Sequence, residues 1–436
     1  MTSEPGGVVT SKRKQGQGMA PKLRFPDFRD AGDWHLGVLG DLLSEPKDKN
    51  RSLTYGPEHV LSVSGEHGCV NQIGLLGRSY AGTSVKDYNV VQTGDIVYTK
   101  SPLKACPNGI IKANKGPSGI VSVLYAVYRP TESTDSRFID YYFSSDNNLN
   151  TYLQPIVKKG PKNSILVNNT KVLQGAFAAP TPSEQQKIAD CLSSLDTVIA
   201  AEGERLAALR TQKKGLMQAL FPARGQTTPR LRFPEFQGAV EWEVKPLGDI
   251  FDTASGGTPD REKKQYWDGE IPWITTSLVN SNVISAASEF ITDEGLKNSS
   301  AKLFPEGTVL VAMYGQGKTR GKVALLGIEA ATNQACTAIL PKDGIDPAYV
   351  FLNLCSRYDE IRALSNSGGQ DNLSQGIVAT LSFPLPRDPE EQQKVANCLS
   401  SFDSIVNAQG EKINALKAHK FALMQQLFPS PHSANA

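Results

Sequence analysis

The sequence predicts an α+β chain built twice over: two β-rich heads, and two long helices that pair as an antiparallel coiled coil with pseudo-twofold symmetry. Three observations predict it. They are a gapless internal repeat, a sustained apolar seam inside that repeat, and short β-branched runs in the stretches between.

Residues 182–222 align on 389–429 at a constant offset of 207, with 23 of 41 positions identical. A second block, 21–43, aligns on 229–251 with 11 of 23 identical. Between these blocks the halves diverge. The shared blocks therefore make the frame, and the divergent stretches carry whatever each head binds. This divides the chain into an arm (1–20), a first head (21–181), a helix (182–222), a second head (229–387) and a second helix (388–429).

Both helices have local start and stop signals. Thr181-Pro182-Ser183-Glu184 places a hydroxyl at the N-cap, proline at the first helical position and a glutamate where a capping box expects one. Asp388-Pro389-Glu390-Glu391 repeats the layout with a carboxylate cap. Phe221-Pro222 and Phe428-Pro429 stop both helices, because the residue before proline avoids the α region. Leu192, Leu195, Ile199, Leu206, Leu209 and Leu216 recur at steps that average a heptad seam, and so do their counterparts in the second copy. Polar residues interrupt the seam at Glu202 and Lys213, and at Gln409 and Lys420. Matching apolar with apolar layers predicts an antiparallel register of Leu206 on Leu416, Glu202 on Lys420 and Lys213 on Gln409. Gly203 and Gly410 match in mid-helix and suggest a bend, a close partner or a tolerated surface glycine.

The heads, 44–180 and 252–386, show β-branched and aromatic runs punctuated by Gly, Pro, Asn and Asp, the pattern of a mainly antiparallel β domain. Phe138–Asn148 and Pro347–Ser365 read as helices at corresponding places.

Composition narrows the function classes. The net charge of +2 over 436 residues argues against a uniformly basic nucleic-acid coat. Charge is local instead: residues 97–171 hold ten Lys/Arg against four Asp/Glu. No apolar run is long enough to span a bilayer. Six scattered cysteines without a Cys-x-x-Cys pair predict reduced cytoplasmic thiols rather than a zinc site. The arm, with Lys12-Arg13-Lys14, reads as a disordered tail rather than a secretory signal.

Several motifs now stand in order. The second head carries Ser255-Gly-Gly-Thr-Pro, Tyr266-Trp267, Ile271-Pro-Trp-Ile-Thr-Thr and Ala331-Thr-Asn-Gln-Ala. The first carries Tyr88-Asn-Val, Gly94-Asp-Ile-Val-Tyr and Gly119-Ile-Val-Ser, and each head leads into Pro-x-Glu-Gln-Gln-Lys. Over residues 21–429 this order resembles the specificity subunit of type I restriction–modification systems. The resemblance implies two target-recognition domains, each reading one part of a split double-stranded DNA site, held apart by paired helices. It implies a non-catalytic chain that binds no cofactor itself. Its partners would be methylation subunits, which use S-adenosylmethionine, and restriction or translocase subunits, which use ATP and Mg2+; no membrane is involved.

Two rivals are a protein-binding scaffold and a nucleotide hydrolase. The second rests on Ala312-Met-Tyr-Gly-Gln-Gly317-Lys318-Thr319, which nearly fits a phosphate-binding loop. Such a loop needs a helix immediately after it, and here Arg320-Gly321 and a β-like run follow. The better reading is a basic β-turn facing DNA, with Gln316, Lys318, Arg320 and Lys322 on it. A second candidate surface precedes each return to the long helix: Lys158, Lys159, Lys162 and Asn163 in one head, Gln370 and Asn372 in the other. Lysine suits phosphate or guanine, and Asn and Gln suit adenine. Lys100, Lys104, Lys112 and Lys115 form a further basic stretch in the first head. Asp260, Glu262 and Lys264 crowd into one turn and read as a solvated loop rather than a nuclease centre.

Overall fold

The computed structural model describes residues 19–82, 84–101, 105–160, 165–314, 318–364 and 373–429. Most of the arm, residues 1–18, lies outside them. Met19 belongs to the first core, buried and bridged to Trp34, so the fold includes residues that the sequence assigned to a tail.

The chain forms two units, 1–201 with 412–436 and 202–411. The long helices run Pro182–Leu220 and Pro389–Leu427, so each contributes to both units. The unit boundaries therefore fall inside the helices.

Within each unit the shared residues build the same clasp. Arg24 donates from Nε and Nη2 to the two carboxylate oxygens of Glu184, at 2.8 and 2.7 Å. Arg232 does the same to Glu391, at 2.7 and 2.8 Å. Lys187 pairs with Asp27, and Lys394 with Glu235. Gln185 bridges Pro180 O and the Asp135 amide, while Gln392 bridges Pro386 O and the Asp346 amide. Asp135 and Asp346 are the N-caps of the head helices Ser136–Phe143 and Pro347–Ser356. The Glu-Gln pair thus ties the start of a long helix to the start of a head helix. The expected capping box is corrected here, since Glu184 turns to Arg24 and Trp34 instead of its own cap. A buried carboxylate gains more from a bidentate guanidinium than from one amide.

The other end of each unit closes on the opposite helix. Leu23 N donates to Gln426 O at 3.0 Å, and Leu231 N to Ala219 O at 2.8 Å, at repeat-equivalent positions. Phe428 then packs against Trp34 and Phe138, while Phe221 packs against Tyr349.

The first head holds a four-stranded antiparallel sheet in the order 43–44, 125–130, 96–99, 110–113. The second holds a five-stranded sheet in the order 253–255, 336–339, 309–312, 323–326, 282–284, and a four-stranded sheet 289–291, 267–274, 330–332, 303–304. Two pairings there are parallel, 282–284 with 323–326 and 267–274 with 330–332, within the mainly antiparallel pattern expected. Each expected head helix is also two helices. Ser145 ends the first by capping a second, Asp146–Leu153, through Asn148 N. In the other head, Pro347–Ser356 is followed by Tyr358–Ala363.

The helix register differs from the apolar-layer prediction. In the second unit Gln409 Nε2 donates to Glu202, to its main-chain oxygen at 3.0 Å and its carboxylate at 2.6 Å. Lys213 pairs with Asp403. The predicted partners were Lys420 for Glu202 and Gln409 for Lys213. Moving from Glu202 to Lys213 moves from Gln409 back to Asp403, so these segments are antiparallel. In the first unit Lys420 pairs with Asp196, the repeat-equivalent of Lys213 with Asp403. The layer argument let polar seam residues meet only one another. Long lysines instead reach acidic residues flanking the seam, beside Leu195 and Phe402, so another register is satisfied. A Cβ on Gly203 or Gly410 would meet nothing within 4 Å, which removes close approach as their reason.

Candidate nucleic-acid interface

In the second head, four segments converge at one end of the five-stranded sheet. Strand 253–255 leaves the sheet into Gly256–Pro259, and Gly257 N donates to Thr332 O at 2.8 Å. A Cβ on Gly256 would lie 2.3 Å from Thr332 O, and one on Gly257 2.4 Å from Ala301 N, so both must be glycine for the loop to seat. Thr258 Oγ1 donates to Gln334 Oε1, joining the two motifs that the sequence shows 76 residues apart. Next to them strand 309–312 ends, with Met313 N on Ala335 O. Leu373 N reaches Met313 O, which brings in the segment after the second candidate loop.

The basic turn lies at this same end. Tyr358 OH donates to Lys318 O at 2.8 Å, Arg320 Nη2 to Arg362 O at 3.4 Å, and Lys322 Nζ to Asn280 Oδ1. Lys318 is exposed, and among the described residues its Nζ hydrogen-bonds no protein group. The segment from Met313 to Lys322 joins two antiparallel strands, with Gly321 at φ 82° before strand 323–326. No helix follows to aim amides at a phosphate, so the phosphate-loop reading loses its structural requirement. Gln316, Gln370 and Asn372 lie outside the described residues.

The first head disperses its candidates. Lys158 and Lys159 are exposed on a short hairpin with 165–166. Lys100 is partly buried, and desolvation lowers its pKa against the opposing pull of Glu45. Lys112 donates to Ser144 Oγ at 2.7 Å, and burial likewise lowers its pKa. Lys115 pairs with Asp140 at 2.8 Å and lies 5.0 Å from the Tyr141 ring. Tyr141 also receives Lys420 at 4.8 Å and donates to Asp196 at 2.7 Å. Lys112 and Lys115 thus fasten the strand 110–113 and the turn after it to the head helix Ser136–Phe143 and its C-cap. Arg129 and Arg137 are paired too, with Asp95 and Asp48 and with Asp135 and Asp190. Four of the ten basic residues over 97–171 are thus engaged within the fold. Lys104, Lys162 and Asn163 lie outside the described residues.

One functional-looking side chain was passed over by sequence reasoning. Arg261, in the loop read as solvated, lies with its guanidinium carbon 3.8 Å from the Trp267 ring centroid and 4.8 Å from that of Trp273. The available clue was Tyr266-Trp267 and Trp273 in motifs a few residues away.

Among the described residues no helix is long and apolar enough to cross a membrane. Residues 239–418 match the type I restriction modification DNA specificity domain. The chain is 32% identical over 193 residues to the type I restriction enzyme MjaIX specificity subunit of Methanocaldococcus jannaschii, covering 43% of this chain and 44% of that one. It is 30% identical over 178 residues to the EcoR124I/EcoR124II specificity subunit of Escherichia coli, covering 39% and 43%. These matches span less than half the length of those relatives. The fold resembles the S subunit of a type I restriction-modification system from M. genitalium, with TM-score 0.54 at 14% identity over 94% of this chain and 99% of that one. It also resembles a chain solved in work on complex assembly and conformational transition of the type I R-M system, with TM-score 0.58 at 16% identity over 91% and 98%. With its repeated clasp and its two long helices, the chain has the fold of these S subunits, and its second half matches the type I restriction modification DNA specificity domain.

Proposed function

We propose that this chain recognises a bipartite double-stranded DNA site, one half by each head, and directs methylation and cleavage carried out by partner subunits in the cytoplasm. The observation that carries the reading is one clasp built twice around heads whose loop ends differ. A repeated frame presents two surfaces in equivalent settings, and different loops give each surface a different target. The chain itself performs no chemistry in this reading. Methylation subunits would supply S-adenosylmethionine, and restriction or translocase subunits ATP and Mg2+. The long helices would set the gap between half-sites. Near-neutral charge suits a subunit whose partners provide much of the phosphate clamp.

The test is to map methylated bases in DNA exposed to the chain together with its methylation partner. The expected pattern is a split site with a fixed gap. Exchanging residues 44–180 for the first head of another specificity subunit should rewrite one half of that site only. A contiguous site, or changes in both halves, would overturn the reading.

A further inference from the structure

We infer that Arg261 is a specificity-determining residue of the second head, placed to read a guanine edge in the major groove; the inference rests on the proposed DNA-recognition function. The local backbone is built to hold it. Strand 267–274 bulges between Trp267 and Ile271, both of which pair with Ile291. Asp268 takes φ 60°, and a Cβ on Gly269 would lie 2.5 Å from Ile291 O. Across this bulge Trp267 stands edge-on to Trp273, with centroids 5.1 Å apart at 90°. Trp267 Nε1 donates to Asp260 O, and Trp273 Nε1 to Gly257 O, each at 3.0 Å. The two indoles therefore grip the loop on either side of Thr258 and leave the Arg261 guanidinium over the Trp267 ring and close to that of Trp273.

The guanidinium is then fixed in rotation. Glu289 binds Nη1, while among the described residues Nε and Nη2 hydrogen-bond no protein group. The side chain is 54% exposed. What remains open is one planar edge with two parallel N–H donors, the geometry that matches O6 and N7 of guanine. A phosphate contact needs no such orientation, because a point charge on a flexible stem suffices. Arg261 lies three residues after Thr258, which is joined to Gln334, and the neighbouring Ala335 O accepts from Met313 N at the start of the basic turn. Phosphate-contacting and base-reading groups would then share one face, with Lys318 positioning and Arg261 specifying.

The test uses the full chain assembled with its methylation partner. Duplexes bound from a library of randomised sequence define the site for the wild type. Binding is then measured to that site and to versions with each guanine of the second half-site replaced by 7-deazaguanine, which lacks the N7 acceptor. At one position the wild type should lose roughly 5- to 150-fold. The Arg261→Ala and Arg261→Lys complexes should not distinguish the two duplexes, while still selecting the unchanged first half-site, which shows that they are folded. Wild-type indifference to every such replacement overturns the inference. So does a variant that keeps the full guanine preference, which would make Arg261 a brace. Uniform weakening across all duplexes with a shallower salt dependence would make it a phosphate contact and also overturns it. If the wild type selects no sequence at all, the proposed function itself falls.

Discussion

Arg24 with Glu184 and Arg261 with Glu289 are the same ion pair by composition and opposites by environment. In the first, the carboxylate side chain is 1% exposed and the guanidinium 12%. Arg24 spends its donors on both carboxylate oxygens and on Gly32 O, and the hydrogen bonds to Glu184 raise its pKa despite burial. In the second, the exposures are 34% and 54%, Nη1 alone is tied to the carboxylate, and among the described residues Nε and Nη2 are left over beside the shelf of the Trp267 ring. A saturated, buried pair locks two segments together. A half-used, exposed pair holds a donor edge ready for something else. What an Arg–carboxylate pair does is decided by how many of its donors the fold leaves over.

The contrast breaks most readily at the buried end. Glu184→Ala strands a guanidinium in the first clasp and should cost about 3–5 kcal/mol, read by chemical denaturation of the full chain. Glu391→Ala should cost a similar amount in the second clasp, where Arg232 is equally enclosed. A loss under about 0.5 kcal/mol, the scale of an ordinary surface change, would show that the clasps do not carry stability. At the exposed end, Glu289→Ala should leave stability within about 1 kcal/mol, as for other exposed pairs.

The helix pair sharpens the comparison. With cysteines at 202 and 409, a short bismaleimide should crosslink the chain, because Gln409 reaches the main chain of residue 202 through its full side chain. Cysteines at 202 and 420 should not crosslink. The reverse outcome would restore the apolar-layer register.

Trp267→Leu removes the shelf but not the pair. It should weaken base discrimination by about 0.5–2 kcal/mol, the scale of a cation–π contact, with less effect on overall binding. Equal losses on specific and random duplexes would mean that the shelf only shapes the loop.

The smallest expected effect is at Lys318. Lys318→Ala should weaken binding of the assembled complex to all sequences alike and reduce its salt slope by about one. Unfolding stability should move by no more than about 0.5 kcal/mol. A sequence-dependent loss would make Lys318 a base reader and reverse its relation to Arg261.

The elements of this fold were legible where their causes are local. Pro182 and Pro389 start the helices, and the Phe-Pro steps stop them, because caps and proline sterics act within a few residues. The identical Arg, Trp, Glu and Gln of the two repeats were visible as a frame, though not as a clasp. Partners escaped. Lys213 chose Asp403 and Lys420 chose Asp196, because flexible charged stems tolerate several registers that an apolar-layer count treats as forbidden.

Lys112 and Arg261 show the same division at the candidate interface. By sequence, one stood in a basic stretch and the other in a crowded charged loop. Folding turned the first toward Ser144 and Asp140 and laid the second over Trp267 and close to Trp273. Repeat, helices and seam were determined by residues near one another in the chain. Register, and the choice of which cations stay available, was decided only when distant segments met, because a charge is used or left over according to what burial brings beside it.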